Sequence, residues 1–358
     1  MRTGRWRSWR TWTVLAIVLV LGLVVLAGDA VVGPPRPHTG PPSNVPLAVV
    51  SLGDSTISGE GAGDYQTGTD GQNGDWCHRS TKAEVNNVRL PGVTKQINLA
   101  CSGADTVDVQ LGNATHDTET SQAAKLGTLA RHYRVTAVFI AIGANDNPEF
   151  SDLINQCVNA WADSGSCTDG FTPTWQKRVN AMVPKVVKTL RDIRLAMAGA
   201  GYQTSDYELV LQSYAAPIGP DVASSLRSLA GCPFRPNDLT WVRQTGVTVL
   251  DAGLRRAAEQ AGTRFLDLAR AGIGHEACSG GSNTASEWFT RLDVVWPDLQ
   301  SDTRASHALQ QSFHPNATGY AKFGGCLAAF LATTDQAAAC LPGPDGSLHP
   351  AAEAINPP

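Results

Sequence analysis

The sequence predicts an α/β fold: a three-layer α/β/α sandwich with a short parallel sheet between layers of helices. Three observations predict it. Short apolar runs alternate with longer stretches of helical periodicity, the junctions lack hairpin signals, and polar Gly-containing segments recur just after the apolar runs. The first run starts at Leu47 with AVVSLG, a buried strand that ends in a turn. Gln96 to Cys101, Val135 to Ile142, Tyr207 to Gln212 and Thr263 to Leu268 read as four more strands, VTAVFIAI being the strongest. Helices are expected over Ser121 to Tyr133, Trp175 to Ala198, Asp238 to Gly262 and Thr318 to Thr333. The second carries an apolar stripe at Val179, Met182, Val183, Val186, Val187, Leu190 and Ile193. In such sheets ligands sit at the carboxyl ends of the strands, where the Gly-containing segments fall.

The 358 residues suffice for one large core, and 42% hydrophobic with 17% charged residues indicates a globular body. The net charge of -4, without a basic patch, excludes a nucleic-acid footprint. Arg2, Arg5, Arg7 and Arg10 precede an uncharged apolar run from Trp12 to Gly28. This pattern makes residues 1–32 a signal peptide or an N-terminal membrane anchor, and both readings stay open. Residues 33–46 are a Pro-rich linker, 47–333 the folded body, and 334–358 a Pro- and Ala-rich tail expected to be disordered from Leu341 onward.

Eight cysteines and no C-x-x-C pair point to disulfides in an oxidising compartment. Of roughly a hundred connectivities, pairing of sequence neighbours is expected: Cys77–Cys101, Cys157–Cys167, Cys232–Cys278 and Cys326–Cys340. No G-x-S-x-G, H-E-x-x-H or phosphate-binding loop occurs, and the histidines are scattered. Neither a metal nor another cofactor is expected.

Four segments carry the chemistry. Gly53-Asp54-Ser55 follows the first strand, Cys101-Ser102-Gly103-Ala104 the second, Gly143-Ala144-Asn145-Asp146 the third, and Ser312-Phe313-His314-Pro315-Asn316 precedes the last helix. Singly, each has an ordinary structural reading as a turn, a helix cap or a surface loop. Together, SLGDSTISGEGAG, NLACSGADT, IAIGANDN and SFHPNATGY resemble, in order, the sequence blocks of the SGNH (GDSL) hydrolase superfamily, and CHRS with ACSGA looks similar to its secreted actinobacterial esterases and lipases.

The resemblance implies a flavodoxin-like SGNH fold and carboxylic-ester hydrolysis without a cofactor. Ser55 would be the nucleophile and His314 its general base, with Ser55, Gly103 and Asn145 supplying oxyanion donors. The family usually has Asp three residues before the His, where this chain has Gln311. A Ser–His dyad, its imidazole held by a main-chain carbonyl near Ser312, is therefore expected. The substrate would be a small-molecule, lipid or glycan ester, the protein an extracytoplasmic monomer, secreted or anchored. The alternatives are a glycan O-acetyl esterase, or a non-catalytic cell-envelope glycan-binding module on a decayed SGNH fold.

Overall fold

The computed structural model describes residues 40–352, apart from residues 147–149, 163–164, 302–303 and 305–306. The segment 1–32, expected to be a signal or anchor, lies outside the described residues. Among the described residues no helix is long and apolar enough to cross a membrane.

Seven strands form one sheet: β1 (Leu47–Gly53), β2 (Val93–Asn98), β3 (Arg134–Ala141), β4 (Glu208–Gln212), β5 (Arg264–Asp267), β6 (Ala337–Pro342) and β7 (Leu348–Ala351). Their order is β2-β1-β3-β4-β5-β6-β7, and every neighbouring pair is parallel except β6 with β7. From Ala137 to Ala141 no residue of β3 is more than 2% exposed. A strand buried on both faces is what a parallel sheet covered on both sides requires. The chain leaves β1 for β2 on one side and returns to β3 on the other, so the loops after β1 and β3 diverge at their carboxyl ends. That divergence opens a crevice.

The helices that matter for the site are α1 (Ser55–Ser58), α2 (Thr106–Val109), α3 (Gln122–Leu129), α4 (Phe150–Ala162), α5 (Trp175–Gly199), α6 (Thr248–Ala261) and α7 (Ala317–Leu331). The stripe expected on α5 is buried, from Val179 to Ile193. The continuous helix expected over residues 238–262 is instead a short helix Pro236–Trp241, a π-helical stretch Val242–Val247, and then α6. The Trp175 indole N–H donates to the Gly246 carbonyl at 3.0 Å within that stretch, giving one loosened carbonyl a partner outside the helix.

Residues 341–351 are not the disordered tail that their composition suggests. Residues 337–342 extend the sheet beside β5, and 348–351 turn back on them. The physical reason is tertiary: Cys340 is bridged to Cys326 on α7, and the small residues Ala338 and Ala339 are each 1% exposed against the core. The structure has four disulfides, Cys77–Cys101, Cys157–Cys167, Cys232–Cys278 and Cys326–Cys340, each joining sequence neighbours.

Candidate active site

Gly53 closes β1 at a φ of 130°, and a Cβ there would meet the Ala141 carbonyl oxygen at 2.0 Å, so only glycine fits. The Gln122 side chain on α3 pairs with both backbone groups of Gly53, at 2.8 and 2.9 Å. Asp54 caps the one-turn helix α1, its carboxylate accepting from Thr56 N–H at 3.0 Å. Gly59 ends that turn in the left-handed region. Ser55 is thereby fixed at the top of β1 with its side chain toward the crevice.

His314 lies on a loop pinned to residues 289–290. Thr290 N–H donates to the His314 carbonyl at 2.9 Å, and Phe313 N–H donates to the Thr290 carbonyl at 3.2 Å. Phe313 has a φ of 60°, unusual for an aromatic residue, and this turns the chain so that the next side chain faces Ser55. His314 Nε2 stands 2.8 Å from Ser55 Oγ, and Nδ1 stands 3.2 Å from the Ser312 carbonyl oxygen. Gln311, at the position of the family's acid, contributes its main-chain carbonyl, which accepts from Thr290 Oγ1 at 2.6 Å. Burial pushes the His314 pKa below the ordinary imidazole value, against the opposing pull of the Glu60 negative charge.

Gly103 follows β2 with a φ of 79°. Asn145 follows β3 and donates from Nδ2 to the Ala104 carbonyl at 2.9 Å, tying the two loops together. Asp146 is buried and accepts from Thr106 N–H at 3.0 Å, Thr106 Oγ1 at 2.7 Å and Lys185 Nζ at 3.1 Å, which seats Asn145 against α2. Ser55, Gly103, Asn145 and His314 all line one cavity of about 360 Å³.

The sequence model of the GDSL-like Lipase/Acylhydrolase family matches residues 51–322. The chain belongs to that family. Membership makes it an ester hydrolase in the broad sense, an esterase or lipase. It is similar to "Lipase 2" of Streptomyces coelicolor, 29% identical over 294 residues that cover 79% of this chain and 85% of the relative. Among solved structures, phospholipase A1 from Streptomyces albidoflavus is 22% identical with a TM-score of 0.53, covering 76% of this chain and 94% of its own. The extracellular lipase from Streptomyces rimosus is 20% identical with a TM-score of 0.51, covering 80% of this chain and 100% of its own. Both structures have the same fold as this chain.

Within this GDSL-like fold the cavity has two characters. Ala144, Phe150, Ile154, Leu268, Phe289 and Phe323 make part of the lining apolar, whereas Trp76, His116, Asp117, His307 and Gln310 make part of it polar and aromatic. Sequence reasoning missed two supports. Tyr214, after β4, donates its hydroxyl to the Asp54 carboxylate at 2.5 Å and accepts from Ala144 N–H at 3.2 Å, joining the turn that bears Ser55 to the loop that bears Asn145. Burial raises the Asp54 carboxyl to about 6, although bonds from Tyr214 and Thr56 counter it. The second support is Glu60, which lies 250 residues from its partner Gln310. No local signal marks either. Among the described residues, the three groups of acidic and cysteine side chains close enough to share an ion each rely on a cysteine whose sulfur is already in a disulfide.

Proposed function

We propose that the protein hydrolyses carboxylic esters of lipids or of short- to medium-chain acids through an acyl-enzyme on Ser55, with His314 as general base. The observation that carries this reading is the 2.8 Å approach of His314 Nε2 to Ser55 Oγ at an apolar cavity. A neutral His314 takes the hydroxyl proton as Ser55 Oγ attacks the ester carbonyl. The negative charge then developing on the carbonyl oxygen meets the backbone N–H groups of Ser55 and Gly103 and the Asn145 side-chain amide. Each such donor is typically worth about 10²–10³ in rate. The imidazolium returns its proton to the leaving alcohol, and a water molecule repeats the sequence to release the acid. The Ser312 carbonyl holds the Nδ1 proton, fixing the tautomer that leaves Nε2 as the acceptor.

The acyl chain would lie against the apolar residues of the lining and the alcohol toward Trp76 and His307. The four disulfides fit an oxidising, extracytoplasmic setting, as does similarity to an extracellular Streptomyces lipase. The formed contact between nucleophile and base speaks against a purely glycan-binding module. The test uses p-nitrophenyl esters of graded chain length and a serine-directed fluorophosphonate. Wild type should turn over the esters and carry the label on Ser55, and Ser55→Ala should lose both while keeping its melting temperature. Labelling of another serine, or an active Ser55→Ala protein, sinks the assignment.

A further inference from the structure

Glu60 sits just past α1 with its side chain fully buried, a position where a carboxylate needs compensation from every direction. Four donors supply it. His78 Nδ1 lies 2.8 Å from both carboxylate oxygens, Ser102 Oγ donates at 2.7 Å, Gln310 Nε2 at 2.9 Å, and the Tyr65 hydroxyl at 3.2 Å. Ser102 and Gln310 also bond each other, Gln310 Nε2 to Ser102 Oγ at 2.8 Å.

These partners come from the segments that bear the catalytic groups. Ser102 immediately precedes Gly103. Gln310 opens the loop that ends in His314, and its side chain also holds the Trp76 carbonyl at 3.2 Å. Gly61, next to Glu60, is packed so closely on His314 that a Cβ there would lie 3.0 Å from the His314 Cβ. The Tyr320 hydroxyl at the start of α7 donates to the Glu60 carbonyl at 2.9 Å.

We propose that Glu60 is the positioning residue of this active site: its carboxylate locks the nucleophile turn, the oxyanion loop and the histidine loop into one geometry, and its charge faces the imidazolium that forms on His314. The inference rests on the Ser55–His314 reading and adds to it a source for what the missing acid would otherwise supply. A triad carboxylate does two jobs, orientation and stabilisation of the imidazolium. Here the Ser312 carbonyl can orient the ring, and a carbonyl carries no net charge. Burial favours the neutral acid of Glu60, but the hydrogen bond and charge of His78, together with the His314 charge and the Ser102 hydrogen bond, hold its pKa below the usual carboxylate range. The charged or titratable groups that face Glu60 are His78, Tyr65, His314 and Tyr320, with Asp70 behind His78.

Two substitutions separate the two jobs in the full chain. Glu60→Gln keeps the shape and removes the charge. Glu60→Asp keeps the charge but is too short to reach all its partners. With p-nitrophenyl butyrate, each should lower kcat about tenfold or more with KM nearly unchanged, because misplacement by an ångström costs about that or more. In Glu60→Gln the acid limb of kcat should also move to lower pH, since the negative charge that supports protonated His314 is gone. In Glu60→Asp the limb should stay near wild type. Gln310→Ala, which leaves the Glu60–His78 pair intact, should lower kcat by about threefold to tenfold without moving the limb.

Fluorophosphonate labelling of wild-type Ser55 checks the underlying dyad separately, so its failure is distinguishable from failure of the Glu60 role. A folded Glu60→Gln protein with kcat within twofold of wild type, or with an unmoved acid limb, overturns the proposal. Should Glu60→Gln not fold, unchanged kcat in Gln310→Ala overturns it.

Discussion

His314 and His116 line the same cavity but are held by different chemistry. His314 Nδ1 meets the Ser312 carbonyl at 3.2 Å, and burial depresses its pKa. His116 sits in the small hairpin formed by residues 115–116 and 119–120; its Nδ1 lies 3.2 Å from the Asp108 carboxylate and its Nε2 is 2.8 Å from the Ser102 carbonyl. The hydrogen bond that His116 donates to the Asp108 carboxylate lifts the His116 pKa to about 9. At neutral pH His116 is therefore a cation with both N–H groups committed, a structural peg that cannot accept a proton. His314 is neutral with a lone pair toward Ser55. On the proposed mechanism, a carbonyl would select the tautomer without making the base cationic in the resting enzyme, and the lowered pKa would keep the base competent in mildly acidic medium.

The contrast can be broken in three places. The largest effect belongs to His314→Ala, which should lower kcat by about 10⁴ or more on p-nitrophenyl esters while leaving thermal unfolding close to wild type. An active variant would remove His314 from the mechanism. Asp108→Asn strikes the other imidazole and should cost stability rather than chemistry, about 1–2 kcal/mol at pH 7 in urea unfolding. The folded pKa of His116 is raised, so its contribution is complete below the ordinary value of about 6.5 and is lost as pH rises through about 9. The Asp108 pKa is lowered by His116 against burial, so the pair also fails in acid, as pH falls through the depressed carboxyl value. The gap between wild type and Asp108→Asn should close by pH 10; a gap that persists there means the pair is not what stabilises the hairpin. The smallest effect is expected for Gln311→Ala, a change of kcat below about threefold, because the side chain replaces an acid whose work is done elsewhere. If Gln311→Ala behaved like His314→Ala, the carbonyl-held dyad would have to be abandoned.

The sheet was legible where its strands are continuous apolar runs, as in AVVSLG and VTAVFIAI, because burial on both faces leaves no other composition available. Singly, the four segments around Ser55, Gly103, Asn145 and His314 read as ordinary turns or caps, and they stood out only because together, in order, they resemble the SGNH sequence blocks. β6 was not. Ala337 to Leu341 has weak strand propensity, and its place beside β5 is set by the Cys326–Cys340 bridge and by packing that local pattern does not encode. Glu60 was visible only as part of a Gly-rich turn. Its meaning depends on residues 78, 102 and 310, which the fold alone brings together.

Ser55 and His314 are 259 positions apart, and the loop carrying His314 is held by Thr290 on one side and runs into α7 on the other. A contact of such long range pays its loop-closure entropy late in folding. A growing chain that has completed β1 through β5 already contains Ser55, Gly103 and Asn145, yet it lacks His314. On the proposed mechanism, latency is thus written into the order of the polypeptide: the Ser55–His314 pair can form only after nearly all of the body has been made.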